Sequence, residues 1–298
     1  MFCNMGIFEK NIFVVIVSYN GEKWLVKNLE SLKQSLFPIK TIVIDNSSSD
    51  NTVEIVKSFS DVQLILSEKN LGFGKANNLG IKEALEQGAD YVFLLNQDTW
   101  VYPETIGNLI RVAELDENYG ILSPLHFSRD ENVLDENFET YWNRKTNAIS
   151  ENVDEVPFVN AAAWLISKQV IEKVGYFEPM FNHYGEDRNY VDRVQYHRYK
   201  TVIVKDAKIC HDRDIIRNFN KDSIQSKYKI LGDVLNVNYS LFVAYLKGFR
   251  SVFGLPKYFY KYYTLPQVIQ LFFKLSTYYL VLKVKAFSII KKRGGYKT

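Results

Sequence analysis

Leu94-Leu95-Asn96-Gln97-Asp98-Thr99 places one acid, Asp98, among amides and a hydroxyl just past the apolar run Tyr91 to Leu95. An open α/β sheet binds its ligands beyond the carboxyl ends of its strands. A carboxylate there suits a hard divalent cation, Mg2+ or Mn2+, that a ligand's phosphates also hold. The competing assignment is a cap for a helix beginning near Pro103, because Asp is common at helix starts. Ser18-Tyr19-Asn20 follows an earlier apolar run and offers a backbone edge, an aromatic face and an amide, enough to hold a planar base. Asp45, followed by Asn46, ends the next run and can accept from a base N–H or a ribose hydroxyl. Asn70 to Asn78 (NLGFGKANN) brings glycines for close backbone approach and a cation, Lys75, suited to phosphate. The same stretch also reads as a tight turn into a helix. It contains neither GxGxxG nor GxxxxGK[ST].

A second acidic centre, Glu186-Asp187, opens a probable helix. Adjacent carboxylates there serve as caps by default. The functional assignment makes one a general base and gives the other a positioning role. His211 stands at a strand end among Asp212, Arg213 and Asp214 and can ligate a metal through its imidazole, although a lone His is commonly an ordinary surface residue. His183 and His197 have no comparable setting.

These residues need strands to carry them. Asn11 to Ser18 is a β-branched run without a polar break, as expected of a strand covered on both faces. Lys40 to Asp45 is a second buried strand ending on an acid, Val62 to Leu66 a third, and the apolar run Tyr91 to Leu95 a fourth. Helices are expected over Glu22 to Ser35, Asn51 to Phe59 (capped by Ser49 or Asp50) and from the Asn70 stretch to about Gln87, which Gly88 ends. The alternation implies βαβ units around a parallel sheet. Ser128 to Glu155 is polar and acidic and reads as a flexible connection or a substrate-facing lobe. Order returns at Val156 to Ser167, at the helix Lys168 to Val174, at a helix from Glu186 to Tyr199, and at two short strands, Thr201 to Val204 and Ala207 to His211.

The chain of 298 residues has a globular composition, 47% hydrophobic and 24% charged. Cys3 and Cys210 form no disulfide framework and fit a reducing compartment. The first nine residues lack the pattern of a secretory signal. A net charge of +3 conceals an asymmetry: residues 221–298 hold fourteen Lys or Arg and two acids, Asp222 and Asp233, leaving the remainder acidic. This argues for an acidic catalytic body, 1–220, and a basic extension, 221–298. In the extension, aromatic and aliphatic stretches alternate with single lysines, and Lys274, Lys283 and Lys285 interrupt the longest. No window reaches bilayer-spanning length. The stretches read as amphipathic helices on an anionic membrane face, against the alternatives of a helical cap on the body or a nucleic-acid surface; the aliphatic runs favour lipid over nucleic acid.

Taken in order, six motifs resemble the bacterial family-two glycosyltransferases of GT-A fold, particularly the rhamnosyltransferase-like enzymes of O-antigen and capsule assembly. They are VIVSYNG at Val15 to Gly21, IDNSSSDNT at Ile44 to Thr52, NLGFGKANNLGI at Asn70 to Ile81, LLNQDTWVYPETI at Leu94 to Ile106, the segment Phe158 to Phe181, and YGEDRNYVDR at Tyr184 to Arg193. The resemblance implies an α/β GT-A fold with a donor half of about 1–125, an acceptor half of about 126–220 and the helical extension. It implies transfer of a sugar from a nucleotide-diphosphate donor to a hydroxyl with inversion, on a lipid-linked or oligosaccharide acceptor, at the cytoplasmic face of the cell membrane. Ser18, Tyr19, Asn20, Asp45, Asn46, Lys75, Asn78, Asn96 and Gln97 would serve the donor. Asp98 and His211 would hold the metal, Asn160, Ala161 and Trp164 would face the acceptor, and Asp187, with Glu186 beside it, would be the base.

Three positions depart from the pattern. Asn96 replaces the first acid of the DxD, Asn160-Ala161-Ala162 replaces a small, glycine-bearing triplet, and Asn189 stands where a further acid is usual. Two other functions remain on the sequence: a nucleotidyltransferase, against which the single glycine and absent cation of Val17 to Glu22 count, and a sugar- or nucleotide-binding module without catalysis.

Overall fold

A computed structural model describes residues 10–213 and 217–296, so Cys3 and Asp214 lie outside the described residues. In chain order the elements are β1 (Ile12–Ser18), α1 (Glu22–Lys33), β2 (Lys40–Asp45), α2 (Thr52–Lys57), β3 (Val62–Leu66), α3 (Phe73–Glu86), β4 (Tyr91–Asn96), β5 (Thr99–Val101), α4 (Thr105–Ala113), β6 (Tyr119–Phe127), α5 (Glu136–Trp142), β7 (Asn147–Ala148), β8 (Val153–Glu155), β9 (Ala163–Ser167), α6 (Lys168–Val174), α7 (Glu186–Tyr196), β10 (Lys200–His211), α8 (Phe219–Leu235), α9 (Leu241–Phe259), α10 (Leu265–Val284) and α11 (Ala286–Gly295).

The strands form one sheet in the order β3-β2-β1-β4-β9-β6-β10-β8-β7, with β5 also pairing to β10. Its first four strands are parallel, which puts the ends of β1, β2 and β4 on one edge. Register sets Ser18 beside Asp45 and Val17 beside Asn96. The parallel alternation then stops. β9 runs antiparallel to β4 and to β6, so the sheet is mixed.

Alternate residues of a strand face opposite sides of a sheet. Along β1, Ile12, Val14 and Ile16 enter a core with α1 and α4, while Phe13 and Val15 enter a second core with α3, α6 and α7. This two-sided burial is why the strand sequences show no polar alternation.

Two expectations need correction. The polar segment Ser128 to Glu155 is no flexible connection but is built into the body, with Asn137 and Tyr141 lining a cleft: Phe138 is fully buried, Trp142 donates to Asp154 at 2.8 Å, and β8 pairs with β10. Its few apolar residues are spent on single anchors, which leaves no periodicity to read. The two short strands near the end of the body are one, β10, whose register against β6 shifts between Val204 and Lys208. The polar pair Lys205-Asp206 at that irregularity imitates a break.

Helices α8 to α11 share a third core around Leu231, Leu235, Leu271, Leu275 and Leu282. They also close onto the body. Lys292 pairs with the buried Glu178 at 2.8 Å and the Tyr296 hydroxyl donates to the same carboxylate, while Arg293 ties α11 to α8 and its following loop through the carbonyls of Val234, Asn236 and Tyr239. No described helix is long and apolar enough to cross a membrane.

Candidate active site

The turn after β4 carries Asp98, and two neighbours fix it. The buried Asn28 on α1 donates its amide to the carbonyls of Asn96 (3.0 Å) and Thr99 (2.7 Å). The Asp212 N–H donates to the Asp98 carbonyl at 2.8 Å, and β5–β10 pairing sets His211 opposite Thr99. His211 Nε2 thereby reaches 3.4 Å from Asp98 Oδ1. Asp98 is no helix cap; β5 intervenes before α4.

A carboxylate oxygen and an imidazole nitrogen at that separation fit two neighbouring ligands of one divalent cation, which stand about 3 Å apart. The buried His211 Nδ1 has no hydrogen-bond partner, so nothing in the structure fixes the tautomer against ligation through Nε2. Among the described residues no third His, Cys, Asp or Glu joins them. A cation here takes its other oxygens from ligand or water.

Asp98 lines a cleft of about 730 Å3 together with Tyr19, Asn46, Lys75, Asn96 and Gln97. Tyr19 stands half out into solvent, an open aromatic face. Gln97 accepts from the Ser18 hydroxyl and the Tyr19 N–H and donates back to the Tyr19 carbonyl, locking the two turns together. Asn46 holds the glycine-rich loop by accepting from the Leu71 N–H at 2.7 Å. Lys75 Nζ lies in the cleft and donates to the Asn182 side chain at 3.1 Å.

Four residues expected at the donor do not line this cleft. Ser18 is fully buried beneath Gln97. Asn20 faces the neighbouring loop and accepts from the Ser49 N–H. Asp45 is buried, accepts from the Ser48 N–H, and keeps its Oδ1 without a partner. Asn78 clasps both backbone groups of Phe177, at 2.9 Å each. Short polar side chains at strand ends are as useful for tying loops as for gripping ligands, and type and position alone cannot separate the two uses.

Phe73, Asn96 and His183 also line a second cleft, of about 770 Å3, so the two adjoin. Its wall holds Glu186, Asp187, Asn160 and Ala161. Tyr184 (φ 77) and Gly185 (φ 89), both in the left-handed region, turn the chain into α7. Such conformations concentrate where a site must be pre-set. Asp187 accepts from the Arg188 N–H at 2.7 Å, and Ala161 lines the same wall. Asn160 Oδ1 is buried without a partner at the same wall. Trp164, expected there, is instead in the core, stacked on Phe177.

Burial raises the pKa of Asp187 from its ordinary value, with the backbone N–H and the charge of Arg188 acting against it. Burial, then the charge of Asp187, pushes Glu186 up to about 7, and its Oε2 has no partner. The Arg188 guanidinium lies 3.4 Å over the Phe158 ring. Gly72 (φ 80) joins the two clefts mechanically: a Cβ there would sit 1.8 Å from the Asn182 carbonyl oxygen.

Part of the second cleft comes from the extension, through Lys221, Tyr228, Lys229, Asp233, Tyr239 and Lys247. The charge asymmetry had pointed these helices at a membrane. A signal against so simple a division was present: the extension has only two acids, and one of them, Asp233, is on this wall.

The sequence pattern of glycosyl transferase family 2 matches residues 13–175, more than half of the chain. The chain belongs to glycosyl transferase family 2. As a member it is a glycosyltransferase, and the sheet with its two-part cleft is the GT-A fold. It is 29% identical over 214 residues to the dTDP-rhamnosyl transferase RfbF of Shigella flexneri, covering 68% of this chain and 69% of that one. It is 24% identical over 231 residues to the N-acetylglucosaminyl-diphospho-decaprenol L-rhamnosyltransferase of Mycobacterium tuberculosis, covering 67% and 75%. Among solved structures, TarS 1–349 of S. aureus in complex with UDP-GlcNAc superposes with a TM-score of 0.63 at 16% identity, over 96% of this chain and 90% of that one.

Proposed function

We propose that this family-two enzyme transfers a sugar, rhamnose by analogy with its named relatives, from a nucleoside diphosphate to a hydroxyl of a glycan built on a polyprenyl diphosphate for cell-surface polysaccharide. The observation that carries this reading is that the two clefts share a wall at Asn96, with Asp98 and His211 on one side and Asp187 on the other.

In this reading Tyr19 offers its ring to the nucleoside base and Lys75 its charge to the diphosphate. Asp98 and His211 would hold Mg2+ or Mn2+, with the Asn96 amide beside them; the ion supplies charge neutralisation to the leaving diphosphate. Asp187 takes the proton of the acceptor hydroxyl as that oxygen attacks the anomeric carbon from the face opposite the leaving group, which inverts the centre. Its raised pKa strengthens it as a base. The Arg188 N–H holds the carboxylate in place.

The extension is assigned to the membrane surface on the cytoplasmic side. Phe242, Leu246, Phe249 and Phe253 form an exposed stripe on α9, and Leu265, Ile269, Phe273, Leu280 and Val284 form another on α10. The two stripes meet where Phe253 packs on Phe272. An apolar face edged by lysines suits an interfacial helix on anionic lipid.

A donor screen with Mn2+ tests the assignment. Purified protein is offered dTDP-rhamnose, UDP-GlcNAc and GDP-mannose with a polyprenyl-diphosphate-linked acceptor, and nucleoside diphosphate release is read. Release with one donor, dependent on acceptor, is expected. Consumption of a nucleoside triphosphate with pyrophosphate release would point instead to nucleotidyl transfer, and binding without turnover to a module that has lost catalysis.

A further inference from the structure

His211 has a second imidazole for a neighbour. His126 on β6 is fully buried, and its ring centre lies 6.2 Å from that of His211, with the planes 76° apart. Each ring keeps a buried Nδ1 without a hydrogen-bond partner among the described residues. Buried polar atoms are almost always paired, so two such orphans on adjoining rings need an explanation. His126 is otherwise tightly held. Its ring stacks on Phe138 at 4.4 Å, its Nε2 lies 3.0 Å from the Ser123 hydroxyl, and its carbonyl accepts from the Asp135 N–H at 2.9 Å. Asp135 in turn accepts from Arg213, two residues past His211. The segment after β6 thus grips the end of β10 from both sides of the metal-side histidine.

The Ser123 hydroxyl donates to the Pro124 carbonyl at 3.3 Å, which leaves its oxygen to accept and puts the proton of a neutral His126 ring on Nε2. His126 Nδ1 is then a bare lone pair. His211 needs the converse: an imidazole that ligates through Nε2 carries its proton on Nδ1 and donates it to a supporting acceptor. We propose that His126 is the positioning residue for His211. Its Nδ1 accepts the His211 Nδ1 proton and holds His211 in the tautomer whose Nε2 lone pair is free for a cation. With 6.2 Å between the ring centres, a small tilt of His211 or one bridging water completes the contact. Without that acceptor the proton can sit on Nε2, 3.4 Å from Asp98 Oδ1, where it blocks ligation. The inference rests on the transferase reading for the cation at Asp98 and adds the residue that prepares its nitrogen ligand.

Three measurements test it on the full chain. Nitrogen–proton correlation spectra of the imidazoles, recorded without metal, should show the His126 proton on Nε2; with Mg2+ and dTDP the His211 proton should be on Nδ1. His126→Phe keeps a ring against Phe138 but removes the acceptor, and should weaken Mn2+ binding in the presence of dTDP, read by electron paramagnetic resonance, by at least about tenfold. His126→Asn offers a carbonyl oxygen near the Nδ1 position and should restore most of that loss, although it gives up the stack. dTDP affinity in EDTA should be the same in all three proteins. A His126 proton on Nδ1, parental Mn2+ binding in His126→Phe, or a loss that His126→Asn does not restore overturns the inference. So does an equal loss of dTDP binding in EDTA, which would make His126 a packing residue only. The spectra need only the parent protein, so they decide the matter even where a variant fails to fold. If the donor screen succeeds while His126→Phe binds Mn2+ normally, this inference alone fails; if the screen fails while Mn2+ responds as expected, the metal support stands without the transferase.

Discussion

Gly72 presses its α-carbon against the carbonyl of Asn182, so the glycine-rich loop of the first cleft and the segment leading into α7 are fitted to each other at one point. Gly72→Ala meets both a left-handed backbone, which costs about 1–3 kcal/mol for a non-glycine residue, and the Asn182 oxygen. A lower Tm is expected, together with a fall in kcat/KM of at least about tenfold, because the clefts must separate to admit a methyl group. Thermal unfolding and steady-state kinetics check it.

Asp187→Asn should lower kcat by roughly 10²- to 10⁴-fold, the usual worth of a general base. Asn keeps the shape and can still accept from the Arg188 N–H. Donor affinity, measured by calorimetry, should not move. Substantial remaining turnover would remove Asp187 as the base.

Asp98→Asn and His211→Ala should each weaken Mn2+-dependent donor binding by at least about tenfold, comparable to the loss of a ligand's supporting partner elsewhere. The two act on one ion, so the double variant should lose less than the sum of the two losses. A titration with Mn2+ that matches the parent protein would exclude either residue as a ligand.

Glu186 predicts a pH dependence of stability. Its carboxyl titrates near 7 in the folded chain, against about 4.3 when unfolded. Between those values the folded state retains a proton that the unfolded chain has lost, so stability is greatest below about pH 4.3 and declines as pH rises through 7. Glu186→Gln should flatten that decline and make the protein more stable than its parent at pH 8, by up to about 3 kcal/mol. Urea unfolding at pH 5, 6.5 and 8 measures it; parallel slopes would refute the assignment.

Phe242→Ser, Phe273→Ser and Phe287→Ser remove exposed rings and no core contact, so Tm should hold within about 1 kcal/mol of stability. Combined, they should sharply reduce flotation with phosphatidylglycerol liposomes. Undiminished flotation would assign the stripes to another partner.

Strands β1, β2 and β4 were legible because both of their faces are covered, which leaves nearly unbroken apolar runs. Asp98 was legible for the same reason, as an acid just past a strand end. The antiparallel turn of β9 was not, since orientation leaves no trace in a hydrophobic run. Nor could the sequence sort gripping residues from tying residues. Tyr19 and Asp98 face the cleft, while Asn20 and Asn78 are spent on Ser49 and Phe177. Trp164 lay in a recognisable segment, yet its alternation along β9 directs it inward.

The clasp that Lys292 and Tyr296 make on Glu178 has a practical corollary for anyone shortening this polypeptide. Cutting before α11 would strand a carboxylate in a greasy recess and strip the shared leucine layer of its lid. A trimmed variant that no longer floats or no longer turns over would therefore report damage and not division of labour. Single-site changes on the outer stripes are the cleaner scalpel.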